Sequence, residues 1–343
     1  MLQLLQQCQQ VQHHRPSTST QLRFLTRSTD LVRHRSTTTM TRRTKSLLFA
    51  GSLFLFGSCA SDSHDSMTHD HSAMPVDAAS VMGKPDQPVT GPQGRVGQFV
   101  VECPFSHALP DDPIVYPGDA GASHLHVFFG NVTSNADANL ESLLGQGTTC
   151  EQQQDTASYW APALLDNGQL ITPVKSVAYY RAGVGVDPTT VVAFPPGLMM
   201  IAGDAMATEA QPTSVVAWSC GSGGMRDELP PSCPEDRGLR IDITFPDCWD
   251  GKNLDVDGHR THMHYSSNGK CPSSHPVSVP QLIFSVAYPV HGDASHLQLA
   301  SGGLITGHAD FINSWDQEKL EEEVALCIGR DIVCGVTSGR ISG

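Results

Sequence analysis

An all-β body, a sandwich or jelly-roll-like fold with long loops and one short C-terminal helix, is what this chain of 343 residues predicts. Three observations carry the expectation. The segment LRIDITF alternates strictly, Leu239, Ile241, Ile243 and Phe245 against Arg240, Asp242 and Thr244, which is the period of a half-buried strand. Short apolar runs recur between Pro and Gly from Arg95 onward. Helical spacing is clear at one place, near the C-terminus.

The candidate strands in order are GQFVVE from Gly97, HLHVFF from His124, SVAYY from Ser176, TVVAF from Thr190, LMMIA from Leu198, SVVAW from Ser214, LRIDITF from Leu239 and QLIFSVA from Gln281. The helix begins near Ser314, where Ser314 and Gln317 have capping-box spacing and Leu320, Val324 and Cys327 repeat at helical intervals.

The N-terminal quarter is of another kind. Residues 1–39 are rich in Gln, Ser, Thr and Arg without apolar periodicity, and read as a disordered or upstream extension. From Met40 the chain reads as a secretory signal peptide over residues 40–59: basic Arg42, Arg43 and Lys45, an apolar run from Leu47 to Phe56, then small residues before Cys59. The Gly-Ser-Cys ending resembles a lipobox, so a lipid on Cys59 is the expected membrane attachment. Residues 60–94 read as a flexible tether, in which His64, His69 and His71 among aspartates and methionines suit loose metal capture or a plain polar linker. The ordered domain is expected over 95–336, with a tail over 337–343. The expected location is extracytoplasmic.

Eight cysteines follow Cys59 and none forms a CxxC pair, which argues for disulfides over a zinc ribbon or a redox motif. About 105 pairings are open to eight cysteines. Short loops favour Cys220 with Cys233, Cys248 with Cys271 and Cys327 with Cys334, leaving Cys103 for Cys150. Beyond Cys59 the chain carries 13 basic against 34 acidic residues, a formal charge of −21. That sign excludes nucleic acid as a natural partner.

Chemistry concentrates in FPDCWDGKNLDVDGHRTHMHY, Phe245 to Tyr265, and in GASHLHVFFGN. Residues two apart in a strand share a face, so His124 with His126, and His262 with His264, each form a pair able to converge on one ion. His308 stands beside Asp310. The expected metal ligands are His124, His126, His262 and His308, with zinc or copper as the ions that suit imidazole. If the site is catalytic, His262, Asp250 and His259 are the acid/base candidates. A buried histidine fixing a loop is the plain alternative for each. Asp247, Asp250, Asp255 and Asp257 beside Trp249 admit a glycosidase-like carboxylate pair, and Tyr159, Trp160 and Trp315 admit sugar stacking or core packing. GxSxG and phosphate-cradling glycine loops are absent.

The phrases DDPIVYPG, GASHLHVFFGN, SYWAPAL, YYR, FPPGLMMIAG, FPDCWDGKNLD, HRTHMHY, HPVSVPQL and GHADFINSW, in this order, resemble a family of secreted bacterial and fungal domains of unknown function. Some members are joined to WSC-type carbohydrate-binding modules, which implies a cell-wall or polysaccharide setting. His124, His126, His259, His262 and His308 fall on the family's motif positions, whereas His264 falls where a small residue is usual. The expected function is binding of, or action on, extracellular polysaccharide through a histidine-lined, metal-containing cleft. A non-enzymatic envelope metal binder or a structural protein is the alternative.

Overall fold

A computed structural model describes residues 97–334, together with a short antiparallel ladder pairing Thr90–Gly91 with Gly94–Arg95. The signal peptide, Cys59, the tether histidines and the tail all lie outside the described residues.

Nine antiparallel strands and one short parallel addition make a single sheet. In chain order the nine are β1 (Gln98–Leu109), β2 (His126–Gly130), β3 (Ser158–Pro162), β4 (Lys175–Arg181), β5 (Met199–Gly203), β6 (Val216–Cys220), β7 (Leu239–Thr244), β8 (Gln281–Ala287) and β9 (His308–Ile312). They lie side by side as β6-β7-β8-β4-β1-β2-β3-β9-β5, and Val333–Cys334 pairs in parallel with the start of β1.

β1 belongs to both halves of this sheet. Its residues Gln98–Pro104 pair with β4, whereas Phe105–Leu109 pair with β2, and the register shifts between Phe105 and His107. A bulge bends and re-aims a strand. Here it lets one strand turn from one layer into the other, so that the halves face each other as a sandwich. Phe284 of β8 packs against Phe129 of β2, with ring centroids 5.7 Å apart, and lies parallel to Tyr159 of β3 at 5.5 Å. Phe245, just past β7, meets Phe311 of β9 edge-on. All five rings are fully buried, each contributing on the order of 2 kcal/mol by area removed from water.

The expected sandwich is therefore observed, and so are the four expected disulfides: Cys103–Cys150, Cys220–Cys233, Cys248–Cys271 and Cys327–Cys334. The first closes 47 residues of chain, a constraint on the unfolded state of about 4 kcal/mol in the chain-entropy account.

Local expectations needed correction at several points. TVVAF is not a strand. Asp187 caps a 3-10 turn over Pro188–Thr190, and Val191 and Phe194 then enter the core from irregular chain ahead of Pro195 and Pro196. SYWAP and HADFI, not expected as strands, supply β3 and β9. The outward side of LRIDITF is buried, not wet, because Arg240 and Asp242 pair with each other and with Ser285 of the neighbouring strand. A four-residue helix, α1 (Leu140–Leu143), precedes the expected one, α2 (Gln317–Glu323). The cap of α2 is Asp316, which accepts from the Lys319 amide, while Ser314 is spent on the Thr156 carbonyl. Its Leu320 is in the core as expected, and Val324 and Cys327 join it from the π-helical turn Val324–Ile328 that continues α2.

Asp155 sits inside the sandwich, accepting from the Tyr159 hydroxyl at 2.7 Å and the Ala157 amide at 3.1 Å. Burial outweighs both bonds and pushes its carboxyl up to about 8. A raised folded value favours the protonated form, so its contribution is complete below the ordinary carboxylate range and is lost as pH climbs through about 8. Thermal melts from pH 4 to 9 should therefore show a shallower loss of stability for Asp155→Asn than for the native chain. An unchanged slope would assign that pH dependence elsewhere.

Candidate metal centre

The register across β2, β3, β9 and β5 builds the site. His126 stands opposite Pro162, Trp160 stands opposite Asp310, and His308 stands opposite Gly203. Continuing the β3–β9 register by two residues sets Pro162 against His308, so the two histidines occupy one row with a proline between them. Directly opposed residues share a face, and neighbouring strands are about 4.8 Å apart. Two imidazoles leaning across the short pyrrolidine ring therefore meet.

They meet through nitrogen. Nε2 of His126 lies 3.4 Å from Nε2 of His308, and Nε2 of His124 lies 3.2 Å from the same atom. His124 is not in the strand as expected but just ahead of it, and its ring centroid is 4.2 Å from that of His126. The other nitrogen of two of these rings is already used. Nδ1 of His126 donates to the Asp111 carbonyl at 2.9 Å, and Nδ1 of His308 donates to the Thr306 carbonyl at 2.9 Å. A carbonyl only accepts, so when neutral His126 and His308 carry their protons on Nδ1, and the Nε2 lone pairs of these two rings face one another bare.

Burial keeps these rings neutral. His126 and His308 are buried and His124 is half-exposed. Desolvation lowers the pKa of all three, that of His126 furthest with the charges of His124 and His308 adding to it, and that of His308 to about 4. Neutral imidazole is the form that ligates a metal.

Below the histidines on the same face lies a small apolar cluster of Phe128, Trp160, Ile201 and Ile312, roofed by Ile114, Ala138 and Leu143. Asp310 enters this row from β9. It is buried, and neither carboxylate oxygen has a hydrogen-bond partner. Asp112 approaches from the roof, its Oδ1 accepting the amides of Ile114 and Val115 at 3.0 Å. Burial raises the pKa of both carboxyls.

The remaining candidates lie elsewhere. His262 is buried, but its Nε2 donates to the Met199 carbonyl at 2.7 Å. Met199 pairs with Ile312, four residues along β9 from His308, or about 13 Å at strand rise. So three of the four expected ligands come together and His262 does not. Asp250 caps its own loop, accepting the amides of Lys252 and Asn253 and the Asn253 side-chain amide. His259, in left-handed backbone at φ 57°, is paired with Asp255 at 2.9 Å. His262, Asp250 and His259 thus anchor one loop, and that loop carries Arg260, an exposed side chain whose charge is felt at both His308 and Asp310. His264 is exposed and its Nδ1 donates to the Tyr265 carbonyl. Tyr159, Trp160 and Trp315 are all interior, which removes them as sugar-stacking surfaces. Arg260 and Asp112 were not anticipated. The only sequence signal for Asp112 was a pair of aspartates ahead of Pro113, in DDPIVYPG.

A family model described as a domain of unknown function, DUF1996, matches residues 112–315. No curated protein and no solved structure matches the chain.

Gly203 is the tightest point of the site. It has φ +76°, and a Cβ there would stand 2.4 Å from the Gly307 carbonyl oxygen and 2.8 Å from the His308 Cα. Gly168 has a similar φ of +78° with open space around it. In urea denaturation Gly203→Ala should cost about 1–3 kcal/mol more than Gly168→Ala. Equal costs would show that the backbone beside His308 has room to give.

Proposed function

The chain belongs to the DUF1996 family, and on that premise we propose that it is an extracytoplasmic metalloprotein whose three-histidine centre binds zinc or copper and works on cell-wall or extracellular polysaccharide. The observation that carries this reading is the convergence of three Nε2 atoms. Two nitrogens at about 2.0–2.1 Å from one tetrahedral ion are about 3.3–3.4 Å apart. The separations here are 3.2 and 3.4 Å. The bare lone pairs of His126 and His308 repel at 3.4 Å, and a cation between them relieves that repulsion.

The second layer supports it as well. A ligating histidine ordinarily donates its other ring N–H to a carbonyl or carboxylate, which fixes tautomer and orientation. His126 and His308 both do so, through Asp111 and Thr306. Three protein ligands leave a fourth position open, and a zinc ion in such a site supplies a water of pKa about 7 together with Lewis acidity. His124 forms the accessible side. Arg260, on the loop anchored by His259 and His262 and with its charge felt at His308 and Asp310, is the group we assign to hold a substrate there.

Export is supported by four disulfides, which persist in oxidising compartments. Among the described residues no helix is long and apolar enough to cross a membrane. Attachment through a lipid on Cys59 fits both facts. The polysaccharide setting rests on the family resemblance.

A second reading, a non-enzymatic envelope metal binder, draws support from the burial of His126 and His308, which narrows access for a polymer. One experiment separates the two. The chelator-washed chain, loaded with zinc or copper and desalted, should retain the ion at the histidine centre, and His126→Ala or His308→Ala should each weaken retention at least about 100-fold while His262→Ala leaves it unchanged. Failure to retain either ion under any loading would sink the metal reading. With the ion bound, release of reducing ends from cell-wall polysaccharides, lost in His308→Ala, selects the enzyme, and tight binding without turnover selects the binder.

A further inference from the structure

Beside the three histidines stands a second set of groups that the reading above leaves unused. One oxygen of Asp112, one oxygen of Asp310 and one ring nitrogen of His126 lie within 4.8 Å of one another, and all three residues are buried. We propose that Asp112 and Asp310 form a second cation site, for an oxygen-preferring divalent ion of the magnesium, manganese or calcium class, so that the cleft is a two-ion centre.

The argument starts from Asp310. Only 1% of it is exposed, and both carboxylate oxygens lack a hydrogen-bond partner. A buried polar atom without a partner costs about 1–3 kcal/mol, and more where the group is charged. Protonating Asp310 would give one oxygen a proton to donate toward Asp112 or His126 and would leave the other oxygen without a partner. A cation with its own waters satisfies both oxygens at once.

Asp112 is prepared for the same ion. Its Oδ1 accepts two backbone amides, bonds that favour the ionised carboxylate and fix its orientation. The pair therefore presents converging oxygens in a dry setting, where like charges repel strongly unless a cation stands between them. Ligand oxygens on one magnesium or calcium ion stand about 3–5 Å apart, which matches the spacing here. His126 stays out of this ion's coordination through Nδ1, which donates to the Asp111 carbonyl, and its Nε2 faces His308. His126 therefore borders both groups of candidate ligands. The chain itself ties the sites together, because Asp111 holds His126 and Asp112 follows it, while Asp310 stands two residues from His308 on β9.

Manganese is the probe, since the electron paramagnetic resonance signal of the aqueous ion vanishes on binding. The chelator-washed full chain, titrated with manganese with and without prior zinc, should bind one manganese ion. Asp310→Asn and Asp112→Asn should each weaken that binding by about tenfold or more, with circular dichroism melts confirming the fold, and His308→Ala should leave it within about twofold. Native chain that binds no manganese, or manganese binding unaltered in both aspartate variants, overturns the second site. Should one aspartate variant not fold, the other decides. Loss of the three-histidine reading has a different signature, zinc retention insensitive to His126→Ala and His308→Ala, and leaves the manganese result standing by itself.

Discussion

The structure depends on the passage of β1 through both layers of the sandwich. Its first seven residues belong to one layer and its last five to the other, with the register shift at Phe105–His107 as the joint. Without that joint the sheet would stay open, and the aromatic core of Phe129, Tyr159 and Phe284 would have no opposing layer. The ends of the strand are secured separately. Val333–Cys334 pairs alongside its start, and the Cys103–Cys150 disulfide ties its middle to the segment that leads into β3.

The same joint prepares the site. Because β1 ends against β2, the chain that follows runs across the outer face of β2, β3 and β9. Asp111 thereby delivers its carbonyl to His126 while its carboxylate accepts the amides of Gly121 and Ala136, which folds the loop down as a roof. Ile114, Ala138 and Leu143 then dry the face around Trp160. Drying explains the electrostatics: imidazoles stay neutral and carboxyls resist ionisation for one reason, the cost of holding charge away from water. Neutral nitrogens and orphaned oxygens in such a place are what the proposed cation sites rest on.

Much of the fold could be read from local pattern. Strict alternation found β7, apolar runs between Pro and Gly found most other strands, and loop length alone paired the cysteines. The misses have physical causes. TVVAF carries strand-like composition, but Asp187 and Pro188 start a tight turn and two prolines end the run, so it has no ladder to join. SYWAP and HADFI are short and mixed in character, and they become strands because neighbours on both sides offer hydrogen bonds. The cap of α2 moved to Asp316 because Ser314 was drawn into the Thr156 bond.

At the site, the sequence by itself determined the chemical inventory: histidines two apart at the start of β2, a histidine two residues from an aspartate at β9, and cysteines suited to an oxidising compartment. Only the tertiary structure decided which of them meet. His126 and His308 stand 182 residues apart in the chain and are joined by strand register across Pro162, a relation that local periodicity does not contain. His262 shares the composition and spacing of a ligand, yet the loop it anchors sets it against the Met199 carbonyl. The segment richest in reactive side chains became the anchored loop beside the centre. The centre itself was assembled by the sheet, because long-range register, which fixes faces and rows, is settled by the packing of the whole core.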